Sequence, residues 1–252
     1  MQQYGDLYSK YYDLIYSEKS YEDEIEYIHK LINESSKHVM DILDLGCGTG
    51  KHADLLCDKG YRIHGVDLSD EMLKIAADRR KGKEDKLTFT NSNIQELSLN
   101  KKFDVVVSLF HVMSYQTTNN ELIKTFEVVK DHLKKGGIFI FDFWYGPAVL
   151  TDLPTNRVKR IENKNIKVTR IAEPFLNAQK NLVDVNYDVF IEDKKTNEIK
   201  KKKELHKMRY LFDNELDIIL SKIGLNVLQK YKWMSLEKPD FNSWNVVWIV
   251  KN

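Results

Sequence analysis

The chain has 252 residues, enough for one large domain or for one domain carrying a sizeable insertion. Hydrophobic residues make up 42% and charged residues 31%, an ordinary balance for a soluble globular protein. Lys and Arg number 39 against 38 Asp and Glu, a net charge of +1 that excludes a global field for nucleic acid or an anionic membrane.

The first segment, "YSKYYDLIYSEKSYEDEIEYI", carries Tyr8, Tyr11, Tyr12, Tyr16 and Tyr21. It reads either as an aromatic lid over a site or as an amphipathic helix with half-buried tyrosines. It lacks the apolar core of a signal peptide, and no apolar run is long enough to span a bilayer. Cys47 and Cys57 show neither disulfide nor metal-ligand spacing. A reducing, cytoplasmic location with no metal site is therefore expected.

From Val39 to Trp144 strands and helices alternate. Strands are predicted at 39–45, 61–68, 86–91, 103–110 and 137–144. Ser69 followed by "DEMLKIAADRR" has the form of a capped helix start with acids in its first turn. Leu122, Phe126, Val129 and Leu133 recur at helical spacing, with Gly136 and Gly137 as the expected stop. The alternation predicts an α/β fold with a doubly wound, mostly parallel sheet.

After Pro154 the rhythm changes. Val183, Val185, Tyr187, Val189 and Ile191 alternate as in a half-exposed antiparallel strand. "DKKTNE" (193–198) turns the chain and 199–212 returns it, so 154–212 is expected to form an antiparallel β layer over one face of the core. A helix at 214–224 and strands at 225–233 and 244–251 close the chain. The run Lys200–Lys203 reads as a solvated hairpin edge.

The most informative stretch is "DILDLGCGTG" (41–50), where Gly46, Gly48 and Gly50 follow a strand. Such a loop bends sharply and admits a ligand close to the backbone, at the carboxyl edge where open α/β sheets bind ligands. A dinucleotide site wants a third glycine where Lys51 stands. A phosphate loop wants a hydroxyl where His52 stands. Asp67, ending the second strand, suits the two hydroxyls of an adenosine ribose. "NSNI" (91–94) follows the third strand, where a polar side chain could meet an adenine edge.

Taken together, "DILDLGCGTG", "VDLSDEML", "NSNIQEL" and "LKKGGIFIFDFW" resemble the class I S-adenosylmethionine-dependent methyltransferases over residues 39–144. The resemblance implies a seven-stranded Rossmann-like sheet with S-adenosylmethionine as cofactor. It implies Gly46, Gly48 and Asp67 as cofactor contacts, with Cys47, Leu68 and Ile94 beside them, Asn93 facing the adenine and Leu109 lining the cofactor's mid-section. The opening tyrosines resemble those of bacterial amino-sugar N-methyltransferases, aligned on Tyr12, Tyr16 and Tyr21. That likeness implies Tyr12 on the substrate side and Tyr21 at the cofactor's carboxylate.

His111, just past the fourth strand, is the candidate base, since a neutral imidazole takes a proton from an ammonium or hydroxyl. Phe143, Trp144 and Tyr145 are expected at the same mouth as stacking surfaces, and Arg209 as a grip for phosphate. The expected organisation is one domain: lid helices 1–36, core 37–153, insertion 154–212, and closing helix and strands 213–252. The expected activity is methylation of a small molecule, an amino-sugar nucleotide at nitrogen, with O-methylation of a sugar, glycan or other metabolite as the alternative. An NAD-dependent oxidoreductase and a non-catalytic cofactor-binding protein stand as alternatives from other classes. Neither nucleic acid nor membrane is an expected partner, and a homodimer is compatible with the sequence.

Overall fold

The computed structural model describes residues 6–252, with side chains from Tyr11 onward; the Tyr8 side chain lies outside the described residues. Two helices lead the chain, α1 (Asp6–Ile15) and α2 (Tyr21–Ser35). Ser20 caps α2, its side chain accepting the Asp23 N–H at 3.3 Å, and three acids occupy the first turn, where the helix dipole favours them.

The core then alternates β1 (Asp41–Leu45), α3 (Lys51–Asp58), β2 (Arg62–Asp67), α4 (Asp70–Arg79), β3 (Leu87–Asn91), β4 (Phe103–Ser108), α5 (Asn119–His132) and β5 (Leu133–Tyr145). Strand order β3-β2-β1-β4-β5 is parallel throughout. α6 (Gly146–Thr151) and four further strands follow, then α7 (Asp213–Ile223), β10 (Asn226–Lys232) and β11 (Asn245–Lys251). β11 lies antiparallel against β5, and β10 antiparallel against β11, completing seven strands.

The burial pattern explains why these segments are strands. All five residues of β1 are buried, as in a strand covered by helices on both faces. Phe126, Phe139, Phe141, Phe143 and Trp248 fill one side of the sheet, and Ile28, Leu31, Ile42, Val105 and Ile140 the other. The expected helix stop at Gly136 and Gly137 is a correction: α5 already ends at His132, and the glycines lie inside β5. Gly136, at φ 77, sits where the register against β4 shifts, so the pair shapes a bulge instead of a cap.

The insertion comprises β6 (Arg157–Glu162), β7 (Ile166–Asn177), β8 (Leu182–Asp193) and β9 (Ile199–Leu211), paired antiparallel in that order. The layer joins the core at the carboxyl end of β5, where Trp144 and Tyr145 pair with Tyr210 and Leu211 of β9. β6 and β7 are strands that the sequence pattern did not resolve, because Pro174 and alternating charges blur the period.

Candidate active site

β1 ends at Leu45 and α3 begins at Lys51, and the loop between them bends through three left-handed glycines, Gly46, Gly48 and Gly50, at φ 77, 55 and 75. The Gly46 and Cys47 N–H groups both donate to the Val66 carbonyl, at 2.7 and 3.0 Å, folding the loop over the end of β2. A Cβ on Gly46 would lie 2.6 Å from the Val112 methyls, whereas one on Gly48 would meet nothing within 4 Å. The Gly48 face of the loop is therefore open.

Asp67 is fixed against that face. Its Oδ2 accepts the Gly48 N–H at 2.8 Å and its Oδ1 the Ser69 N–H at 2.9 Å. Burial raises its carboxyl above the usual range, and the amides oppose this. Each oxygen keeps a lone pair for a further donor. Asp44, 2% exposed, has an Oδ2 without any partner. Burial, and then repulsion from Asp67, pushes its carboxyl up to about 7.

Leu68, by contrast, is 49% exposed beside these acids. Cys47 is buried, which pushes its thiol up. Asn93 Oδ1 accepts the Gln95 N–H at 3.1 Å, Ile94 packs on the core, and Leu109 is buried within it. Phe110, one residue later, is the half-buried side chain that meets the lid.

The N-terminal helices and the turn between them pack against this site. Tyr16 meets Phe110 edge-on at 4.9 Å and Tyr12 at 4.8 Å. Tyr21, buried, packs its ring 4.9 Å from His52, with the Lys19 and Lys51 ammonium groups 4.3 and 4.4 Å from the ring centre. Glu24 links this group, 2.7 Å from Lys19 Nζ and 2.8 Å from His52 Nε2. Burial lowers both the Lys19 and the His52 pKa, the carboxylate opposing it in each case.

Across the mouth, His111 sits at φ 65 directly after Phe110 at φ 66. Two consecutive left-handed residues that are not glycine mark strain at a site. The His111 N–H donates to Asp142 Oδ1 at 3.0 Å, and its Nδ1 makes an ion-pair contact with Asp142 Oδ2 at 2.9 Å. The Trp144 ring lies 6.4 Å from the imidazole.

Strand parity separates the three expected mouth aromatics. Asp142 and Trp144 share one face of β5, while Phe141, Phe143 and Tyr145 belong to the core cluster on the other. Phe143 is fully buried there, and the Tyr145 hydroxyl donates to Asp213 at 2.5 Å. Arg209 is likewise committed elsewhere: it is 5% exposed and donates to Asn119 Oδ1 at 2.6 Å and Glu215 Oε2 at 2.9 Å. Of the four, Trp144 alone reaches the His111 mouth.

A polar chain crosses from this mouth to the lid. The Tyr115 hydroxyl lies 2.6 Å from His206 Nδ1, His206 Nε2 lies 3.5 Å from Glu204, and Tyr11 donates to Glu204 at 2.6 Å. Arg170 stacks near Tyr187 and donates to the Tyr16 hydroxyl at 3.0 Å, so β7, β8, β9 and α1 wall one cleft. No cluster of three or more potential metal ligands occurs among the described residues.

The sequence missed Asp44, Lys19, Glu24, His52, Phe110 and Asp142. A carboxylate in the apolar run "GIFIFDFW" was the one available signal for Asp142.

Residues 42–137 match the family described as "Methyltransferase domain". An S-adenosylmethionine-dependent methyltransferase from Clostridium acetobutylicum shares the fold with a TM-score of 0.82 and 27% identity, covering 98% of each chain. In motif, topology and this full-length likeness the chain has the class I methyltransferase Rossmann-like fold, and its residues 42–137 match a methyltransferase domain.

The particular relatives include sugar enzymes. The dTDP-3-amino-3,6-dideoxy-alpha-D-glucopyranose N,N-dimethyltransferase of Streptomyces fradiae is 25% identical over 73% of this chain and 71% of its own. The dTDP-3-amino-3,4,6-trideoxy-alpha-D-glucopyranose N,N-dimethyltransferase of Streptomyces venezuelae is 29% identical over 56% of this chain and 59% of its own. Streptomyces venezuelae DesVI has the same fold, with a TM-score of 0.79 at 22% identity over 95% of this chain and 97% of its own. The chain spans about half the length of several curated relatives it matches. No helix among the described residues is long and apolar enough to cross a membrane.

Proposed function

We propose that this protein transfers a methyl group from S-adenosylmethionine to the nitrogen of an amino sugar carried on a nucleotide. The observation that carries the reading is the position of α1. It lies between α4 of the core and the antiparallel layer, with Tyr11, Ile15, Met72, Val168 and Val189 in one cluster. A lid so placed suits a small, enclosed acceptor.

The residues at the glycine loop fit the cofactor. The spare lone pairs of Asp67 suit a ribose diol, and the unpartnered Asp44 Oδ2 suits an ammonium. The open Gly48 face admits a chain close to the backbone, and exposed Leu68 offers an apolar surface to a base. Gly46, Cys47, Ile94 and Leu109 shape the walls, and Tyr21 with Lys19 and Lys51 faces a carboxylate. The Asn93 carbonyl is spent on Gln95, so its NH2 group is the part left for adenine. When bound, S-adenosylmethionine supplies an electrophilic methyl on a cationic sulfur.

The remaining work falls to the chain. Tyr12 and Trp144 orient the acceptor, His111 takes its proton, and exclusion of water keeps the nitrogen in line with the methyl. In this reading 1–36 is the lid, 37–153 the cofactor core, 154–212 the acceptor layer and 213–252 the closing unit. The partner is a small molecule in the cytoplasm, with neither nucleic acid nor membrane involved, and a homodimer is compatible with the exposed layer.

Calorimetry with S-adenosylhomocysteine, followed by thermal-shift screening of nucleotide sugars with that product present, tests the reading. Micromolar binding and a shift from an amino-sugar nucleotide are expected. Product binding with a response to hydroxyl sugars alone would move the acceptor to oxygen. No product binding would overturn the methyl-transfer reading.

A further inference from the structure

His111 Nδ1 and Asp142 Oδ2 are both buried without an aligned hydrogen bond, and they lie 2.9 Å from each other. The other carboxylate oxygen holds the His111 N–H at 3.0 Å. Asp142, 1% exposed, thus directs both oxygens at one residue 31 positions away. That residue closes the strained pair at φ 66 and 65, the turn that brings the imidazole back over β5. Backbone strain and a buried carboxylate converging on one imidazole are costly unless the ring's orientation matters.

We propose that Asp142 is a positioning residue: it keeps the His111 proton on Nδ1 and leaves Nε2 as the proton acceptor facing the substrate nitrogen. The inference rests on the methyl-transfer reading and deepens it. It makes an ammonium, the form in which an aliphatic amine arrives at neutral pH, a usable substrate. One N–H bond of the ammonium breaks, its electron pair stays on nitrogen, and the proton goes to Nε2. Asp142 stabilises the resulting imidazolium. The freed lone pair then forms the N–C bond to the methyl carbon as the S–C pair withdraws to sulfur, and the imidazolium returns its proton to water. Ion-pair contacts of this kind align fully when the substrate is seated.

The other charged and titratable groups around the dyad come from the lid and from α3. Lys19 Nζ sits 3.8 Å over the Phe110 ring and is paired with Glu24, which also holds His52. Tyr16 meets Phe110 edge-on. The Asp142 charge reaches both Lys19 and His52. Among these carboxylates, Asp142 is the one at contact distance from the imidazole.

The test is nitrogen NMR of the full chain labelled in its histidines, wild type and Asp142→Asn, with S-adenosylhomocysteine calorimetry on the same samples. Wild type is expected to carry the neutral-ring proton on Nδ1. In Asp142→Asn, whose amide N–H can face Nδ1, that proton is expected to move to Nε2, with product binding retained. A wild-type proton on Nε2 overturns the proposal without need of the variant, and so does a proton that stays on Nδ1 in folded Asp142→Asn. Absence of product binding in wild type overturns the methyl-transfer reading and the proton-acceptor role with it. A wrong tautomer in product-binding protein overturns the Asp142 role alone.

Discussion

Asp13 of α1 accepts a hydrogen bond from the Thr49 hydroxyl of the glycine loop at 3.0 Å. The same carboxylate pairs with Arg79, and Arg79 donates to the Thr49 carbonyl at 2.9 Å. α1, the glycine loop and α4 are thereby tied at one point. Asp13→Ala is expected to weaken S-adenosylhomocysteine binding by about 3- to 10-fold, the worth of one such contact. Calorimetry measures this, and unchanged affinity would mean that the tie fastens the lid without bearing on the loop.

Asp67→Ala removes the acceptor expected to receive two ribose hydroxyls and strands the Gly48 and Ser69 amides. The loss of product affinity should be about 10²-fold or more, since hydrogen bonds to a charged acceptor are worth roughly 1.5–3 kcal/mol each. Circular dichroism on the same sample separates this from unfolding. Retained affinity would mean that the ribose lies elsewhere.

The two leading glycines should fail differently. Gly46→Ala drives a methyl into Val112 and should cost about 2–4 kcal/mol of stability, overpacking added to left-handed strain. Gly48→Ala has room and should cost about 1–2 kcal/mol in the ligand-free chain, with its larger penalty appearing in product affinity. Denaturant titration of both, with and without product, checks the order. Equal costs in the ligand-free state would contradict it.

Asp44 gives the ligand-free protein a pH dependence of definite sign. Its carboxyl, pushed up to about 7 in the fold, ionises near 3.9 when unfolded. Between those values the folded state holds a proton that the unfolded state lacks. This stabilising contribution is present in full at low pH and lost as pH rises through the folded value. Asp44→Asn removes that loss, so its Tm advantage over wild type should grow between pH 5 and pH 8. His52, held neutral by burial, acts in both proteins and cancels in the difference. A constant difference would show that Asp44 titrates normally.

Arg209→Ala should destabilise the chain by about 2 kcal/mol or more, because it leaves Glu215 and Asn119 without their buried partner. Under the same change, product affinity should stay within twofold of wild type. A selective loss of nucleotide-sugar response in a stable variant would return Arg209 to the acceptor side.

What the sequence disclosed and what it hid divide along a physical line. The glycine loop, β1, β2 and Asp67 were legible because their signal is local: apolar runs, conformationally free glycines and an acid at a strand end. Asp142 and His111 lie 31 positions apart, and Lys19, Glu24 and His52 come from separate elements, so their meeting depends on the finished packing. The left-handed backbone at Phe110 and His111 has no glycine to announce it. Phe143 and Tyr145 were expected at the mouth from proximity alone, and the twofold period of β5 sends them to the core.

Two residue pairs, Trp144 with Tyr210 and Tyr145 with Leu211, carry the hydrogen-bonded seam between β5 and the four-stranded layer. A module attached by so short a seam can lengthen its hairpins, trade charges along its strands or exchange its cleft wall while the seven-stranded sheet keeps its register. The architecture thus separates what must remain constant, the register of the parallel core, from what can diverge, the layer beside it. Trp144, at the seam itself, is the hinge of that divergence: its backbone belongs to both parts and its ring faces the histidine.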